Sequence, residues 1–176
     1  MNEVLDLEIR RKIYDLIAKN PGLHAKKIAE LLSIKGQLAD YHLLYLERRE
    51  VITTIKEEGY RRYYIKGKLG IKDRRRIAIL RQEIPLRIVL FLLKNPDSKH
   101  GEILENLDIT KSTLTYHIKK LVKHGIISEH PFGKDKRYRV INEKEIYELL
   151  IRYKPYTRIG SFKDTWVDLK WPGVPK

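Results

Sequence analysis

The 176-residue chain contains no cysteine. That excludes a disulfide framework, thiolate metal sites and cysteine nucleophiles, and it fits a reducing compartment. Long hydrophobic runs are also missing. Each apolar stretch is broken by charge within a few residues, so no segment is expected to span a bilayer and no membrane partner is expected. The opening MNEVLDLEIRR carries acidic residues where a secretory leader is basic, and it has no apolar core. A cytoplasmic location follows as the expectation. There is no phosphate-cradling glycine loop, no GxGxxG, no GxSxG and no HExxH. The carboxylates are scattered among Lys and Arg, so no enzyme is expected. His117, His124 and His130 lie near one another in the sequence. Without Cys or HExxH beside them they read as lone structural histidines, and neither a metal nor a cofactor is expected. No aromatic stacking platform stands out, which disfavours RNA and single-stranded partners.

What is abundant is positive charge. Lys and Arg number 37 against 23 Asp and Glu, a formal charge of +14. The excess is uneven: residues 1–66 carry +3, residues 67–142 carry +9 and residues 143–176 carry +2. A surface rich in ion pairs explains many charges but not an excess of one sign concentrated in one stretch, so a polyanion, nucleic acid first, is the expected partner. Hydrophobic residues make up 42% and the mean hydropathy is −0.47, which describes a folded chain rather than a disordered one.

The sequence repeats itself. Ile109 to Glu129 (ITKSTLTYHIKKLVKHGIISE) falls on Ile34 to Thr54 (IKGQLADYHLLYLERREVITT) without a gap, 75 positions apart. Tyr41 matches Tyr116, His42 matches His117, Leu46 matches Leu121, and Lys19-Asn20-Pro21 matches Lys94-Asn95-Pro96. Two copies are too few for a solenoid, and each is long enough for a small domain. In the first copy, helical spacing predicts helices over Leu7–Lys19, capped by Asp6, then Ala25–Leu32 and Gln37–Arg49. Strands are expected over Val51–Lys56 and Tyr60–Lys66, with Tyr63 and Ile65 on one face. A basic helix is expected from Asp73 to Gln82. In the second copy a nearly all-apolar helix runs to Lys94, with Pro85 in its first turn. Ser98 is expected to cap a helix over Lys99–Leu107, and a helix over Lys111–His124 ends at Gly125. Ile126–His130 and Lys136–Val140 are expected strands around the tip Pro131–Asp135. Asn142 caps a helix over Glu143–Tyr153, and the tail carries Phe162, Trp166, Leu169 and Trp171.

On these residues the chain resembles the archaeal tandem winged helix-turn-helix transcription regulators, relatives of ArsR- and MarR-like domains. The resemblance implies a mainly α fold with small β wings (α+β): a first winged domain at 1–66, a basic helical linker at 67–82, a second winged domain at 83–142, and a C-terminal helix with an aromatic tail at 143–176. It implies double-stranded DNA binding and transcriptional control in a cytoplasmic, nucleoid-associated protein.

Reading the residues themselves agrees. A helix of this length fits the major groove with its N-terminal residues at base edges. Lys111, Ser112, Thr113 and Thr115 occupy that start, followed by Tyr116 and His117, while Lys119 and Lys120 suit phosphates. Lys134, Lys136, Arg137 and Arg139 decorate the second wing, where alternation turns Tyr138 and Val140 inward. The first copy offers Gln37, Tyr41, His42, Arg61 and Arg62, but Leu38, Asp40, Leu44 and Tyr45 replace Thr113, Thr115, Lys119 and Lys120. Each feature has a plainer meaning. Ser112 and Thr113 can cap a helix, His42 and His117 can hydrogen-bond across the turn, Tyr41 and Tyr116 can be half-buried packing residues, and the basic wing can be solvated surface. A tandem winged-helix scaffold that recruits a basal transcription factor is the rival function. A homodimer is a second expected assembly, through the first copy or the tail.

Overall fold

The computed structural model describes residues 7–57 and 59–153. Asp6, Glu58 and the tail residues Phe162, Trp166, Leu169 and Trp171, on which expectations were placed, lie outside the described residues. Among those described are α1 (Glu8–Lys19), β1 (Leu23–His24), α2 (Ala25–Leu31), α3 (Gly36–Arg48), β2 (Ile52–Glu57), β3 (Tyr60–Ile65) and α4 (Ile71–Leu80). Then come α5 (Glu83–Lys94), β4 (Ser98–Lys99), α6 (His100–Asn106), α7 (Lys111–Lys123), β5 (Ile127–Phe132), β6 (Asp135–Val140) and α8 (Glu143–Arg152). The fold is mixed α and β. From α1 to β3, every element recurs 75 positions later with the same length, as Glu8–Lys19 and Glu83–Lys94 illustrate.

The chain forms two compact units. Among the described residues, the first unit joins 7–80 with 147–153, and the second is Arg81–Ile146. In the first unit, a three-stranded antiparallel sheet of order β1-β3-β2 closes over the helices. Its core contains Ile13 and Ile17 of α1, Ile28 of α2, Leu43 and Leu46 of α3, and Leu23, Ile52, Tyr63 and Ile65 of the sheet. Each fully buried aliphatic side chain contributes about 1.5–3 kcal/mol. The helical stripe Ala39, Leu43 and Leu46 turns one face of α3 to this core and leaves the opposite face outward. Tyr64 is buried as well, its hydroxyl donating to the Arg74 carbonyl at 2.8 Å, so β3 buries both faces instead of only Tyr63 and Ile65.

The Arg81–Ile146 unit repeats the plan with sheet order β4-β6-β5. Helix α5 is buried on several sides through Leu86, Ile88, Val89, Leu90 and Leu92. Leu114, Ile118 and Leu121 anchor α7. Strands β1 and β4, two residues each, carry no periodic signal and were not expected. Ser98 lies in β4 and does not cap α6. It is buried, and its hydroxyl donates to the Asn95 carbonyl at 2.8 Å. The second wing is longer than expected. Phe132 pairs with Asp135 across a two-residue turn in which Gly133 adopts φ 61°. Pro131 is tolerated inside β5 because β5 is an edge strand and needs no amide donor on its free side. The backbone plan survives changes of residue: Glu50 has φ 57° where the second copy has Gly125 at 60°.

Candidate nucleic-acid interface

Helix α7 begins at Thr110. Its side chain is the N-cap, accepting from the Thr113 amide at 3.2 Å. The Thr110 hydroxyl also lies 3.0 Å from that of Ser112 and 2.8 Å from that of Thr113. Capping is therefore done one residue before the helix, and neither Ser112 nor Thr113 is needed for it. Ser112, Tyr116, Lys119 and Lys123 follow at i, i+4, i+7 and i+11 and are all exposed, with exposed Lys111 beside them. Tyr116 is 55% exposed, and its ring meets His117 edge-on at 5.0 Å. Lys120 turns aside, donating to Gln82 at 3.2 Å.

Thr115 is held from two sides. Its hydroxyl donates to the Lys111 carbonyl at 2.8 Å, and His100 Nε2 lies 3.1 Å from the same oxygen. A hydroxyl has one proton. With that proton on Lys111, the imidazole must donate, which puts its own proton on Nε2. Burial, and then the charge of Lys111, lower the His100 pKa below the ordinary histidine value. His100 was not anticipated, because nothing in its local sequence connects it to a residue fifteen positions on.

The wing cations are mostly engaged. Lys136 pairs with Glu129 at 2.9 Å, which raises the lysine pKa. Arg139 grips Asp97 with Nε at 2.9 Å and with a second guanidinium nitrogen, holding that carboxyl below its usual range. The Arg137 guanidinium lies 3.7 Å from the Phe132 ring centroid. Lys134 is exposed at the turn, and Asp135 beside it pairs with Lys99 at 2.9 Å. Exposed pairs of this kind are screened by solvent and contribute little to stability.

The first unit presents the same geometry with different chemistry. Gln37, Tyr41, Leu44 and Arg48 occupy the outward stripe of α3, flanked by exposed Leu38 and Asp40. Tyr41 is 60% exposed. Tyr45 is partly covered, with the Arg10 guanidinium 3.6 Å from its ring centroid. Two expected contact residues turn inward. His42 is 5% exposed, and it makes no hydrogen bond across the turn at Nδ1 among the described residues. Arg62 is 8% exposed and donates to the Gly22 carbonyl at 3.0 Å. Both sit on core-facing positions, which the sequence pattern alone did not separate from the surface. Arg61 is exposed but paired with Glu47, which also accepts from the Thr54 hydroxyl at 2.9 Å.

Residues 73–128 match the winged helix-turn-helix DNA-binding family. By fold and by this match, that stretch of the chain is a winged helix-turn-helix domain. The match runs from α4 into β5 and so includes α7. The chain is 30% identical over 131 residues to a Methanocaldococcus jannaschii protein named as the uncharacterized HTH-type transcriptional regulator MJ1398. That alignment covers 74% of this chain and 33% of the relative, so the chain spans about a third of its relative's length. Among solved structures, reduced HlyU from Vibrio cholerae is similar at 20% identity and TM-score 0.42, over 49% of this chain and 90% of that one. The DIP2311 protein from Corynebacterium diphtheriae is similar at 16% identity and TM-score 0.32, over 77% of this chain and 26% of that one. Among the described residues, no helix of this winged-helix chain is long and apolar enough to cross a membrane. Among the same residues, no group of three or more His, Asp or Glu could hold a metal.

Proposed function

We propose that the chain is a sequence-specific, double-stranded-DNA-binding transcription regulator whose α7 is the main reader. The observation that carries this is the outward stripe Ser112, Tyr116, Lys119 and Lys123, with Lys111 at the helix start and no carboxylate among them. Thirteen helical residues extend about 20 Å, and a helix of this diameter enters a major groove about 12 Å wide. Entering by its N-terminus, α7 sets Lys111, Ser112 and Thr113 at base edges. Lysine reaches guanine acceptors, and the hydroxyls serve either base edge. Lys119 and Lys123, further along, meet phosphate, and Lys134 at the wing turn meets the flanking backbone. His100 is a positioning residue that holds Thr115 in one rotamer. The match to a DNA-binding family over residues 73–128 supports the reading.

Selection of bound fragments from random duplex DNA tests it, followed by titration of Thr113→Ala and Lys111→Ala on the selected and on scrambled duplexes. Loss of about 1–3 kcal/mol per base contact on the selected duplex alone is expected. Equal losses on both duplexes, or no enriched sequence, would refute reading by α7. The rival, a scaffold that recruits basal transcription machinery, is favoured by a different observation: α3 exposes Leu38 and Leu44 where a DNA reader carries polar groups. A scaffold would return no enriched duplex.

A further inference from the structure

We infer that the outward face of α3 is a self-association surface, which pairs antiparallel with α3 of a second copy of this chain. The inference rests on the exposed residues of α3, with α7 as a comparison, and would survive a failure of α7 to read DNA.

The two outward stripes occupy identical positions in two identical plans, so their differences are informative. In α7 the stripe is Ser112, Tyr116, Lys119 and Lys123; in α3 it is Gln37, Tyr41, Leu44 and Arg48. Replacing the central lysine by Leu44 removes a phosphate-binding charge. Replacing Thr115 by exposed Asp40 adds a charge that repels phosphate. Leu38, Tyr41 and Leu44 are 42%, 60% and 43% exposed, three large apolar side chains on one short helix. Tyr41 and Leu44 lie one turn apart on the outward stripe, and an apolar pair there suits a protein contact better than a phosphate one.

Charge identifies the occupant. Asp40 lies one turn before Leu44 and Arg48 one turn after it, and both are exposed. In an antiparallel pair centred on Leu44, Leu44 meets Leu44 of the second copy. Asp40 of each copy then faces Arg48 of the other, so the two-fold axis satisfies both ion pairs at once. Glu47, the remaining acid on this part of the helix, is already held by Arg61 and Thr54 and does not compete. The same arrangement on α7 would set Lys119 against Lys119 and is repulsive. One helix face buries less than the roughly 1,600 Å² of a standard interface, so a weak, reversible dimer is expected.

Sedimentation equilibrium of the full chain without DNA tests the inference, with circular dichroism confirming that each variant is folded. All substituted side chains are exposed, so folding is not at stake. The parent chain should dimerise, and Leu44→Lys, Asp40→Arg and Arg48→Asp should each weaken the dimer about tenfold or more. Asp40→Arg combined with Arg48→Asp should restore it, because the swapped charges again face each other across the two-fold axis. A monomeric parent at hundreds of micromolar overturns the inference. So does a double variant as weak as the single ones, or single variants that dimerise like the parent. Titrating Leu44→Lys with the selected duplex keeps the two ideas apart, since its per-site affinity reports on α7 whatever its mass.

Discussion

Thr110 separates two roles that are entangled at the start of α7: holding the helix and reading DNA. Thr110→Ala removes the acceptor for the Thr113 amide, a 3.2 Å bond, and with it the oxygen that lies 2.8–3.0 Å from the Ser112 and Thr113 hydroxyls. Loss of an N-cap of this type costs about 0.5–2 kcal/mol. Thr110 is exposed, so water takes over part of the lost bond and the expected cost is about 1 kcal/mol. Ser112→Ala and Thr113→Ala leave the cap in place and should stay within about 0.5 kcal/mol of the parent. Urea denaturation of the three variants gives these differences, and hydrogen exchange at the Thr113 amide locates the effect. Thr110→Ser should behave as the parent because it keeps the accepting oxygen. On the selected duplex the order should reverse, with Thr113→Ala losing more affinity than its stability change explains. If Thr113→Ala destabilised the protein as much as Thr110→Ala, the capping assignment would be wrong. The hydroxyls of Ser112 and Thr113 would then be structural rather than available to DNA.

Two further outcomes follow from charge and burial. Lys119→Gln with Lys123→Gln should reduce the salt slope of log K by about 1–2, because two phosphate counterions fewer are released. An unchanged slope would place the outward stripe of α7 off the DNA. His42 is buried, and desolvation, aided by the charge of Arg10, lowers its pKa from the ordinary value of 6.5. The unfolded chain therefore binds the proton more readily, so His42 costs the fold nothing above pH 6.5 and stability falls as pH drops below that value towards the depressed folded pKa. His42→Gln should flatten this part of the stability profile, measured by urea denaturation between pH 7 and pH 5; a profile as steep as the parent's would refute the assignment.

The wing explains why surface and core were hard to distinguish before the fold was known. Arg62 and Arg137 are matched across the repeat, and both belong to basic strands that look equally suited to phosphate. Only the packing shows that Arg62 bends to the Gly22 carbonyl and that Arg137 lies over Phe132. A partner forty positions away in sequence leaves no local trace, and the same holds for His100 beside Thr115 and Asp97 beside Arg139.

What the sequence determined by itself is the plan: helix boundaries to within a residue or two, and a repeat whose 75-residue register every element from α1 to β3 keeps. These are readable because periodicity and turn residues act within a few positions of one another. The tertiary structure decided which charges are free. It engaged Lys136, Arg139 and Arg61 with carboxylates, turned Lys120 to Gln82, buried His42, and left Tyr41 and Tyr116 exposed. Ion pairs and ring contacts form between whichever side chains the packed backbone brings together, and that proximity is not encoded in spacing along the chain.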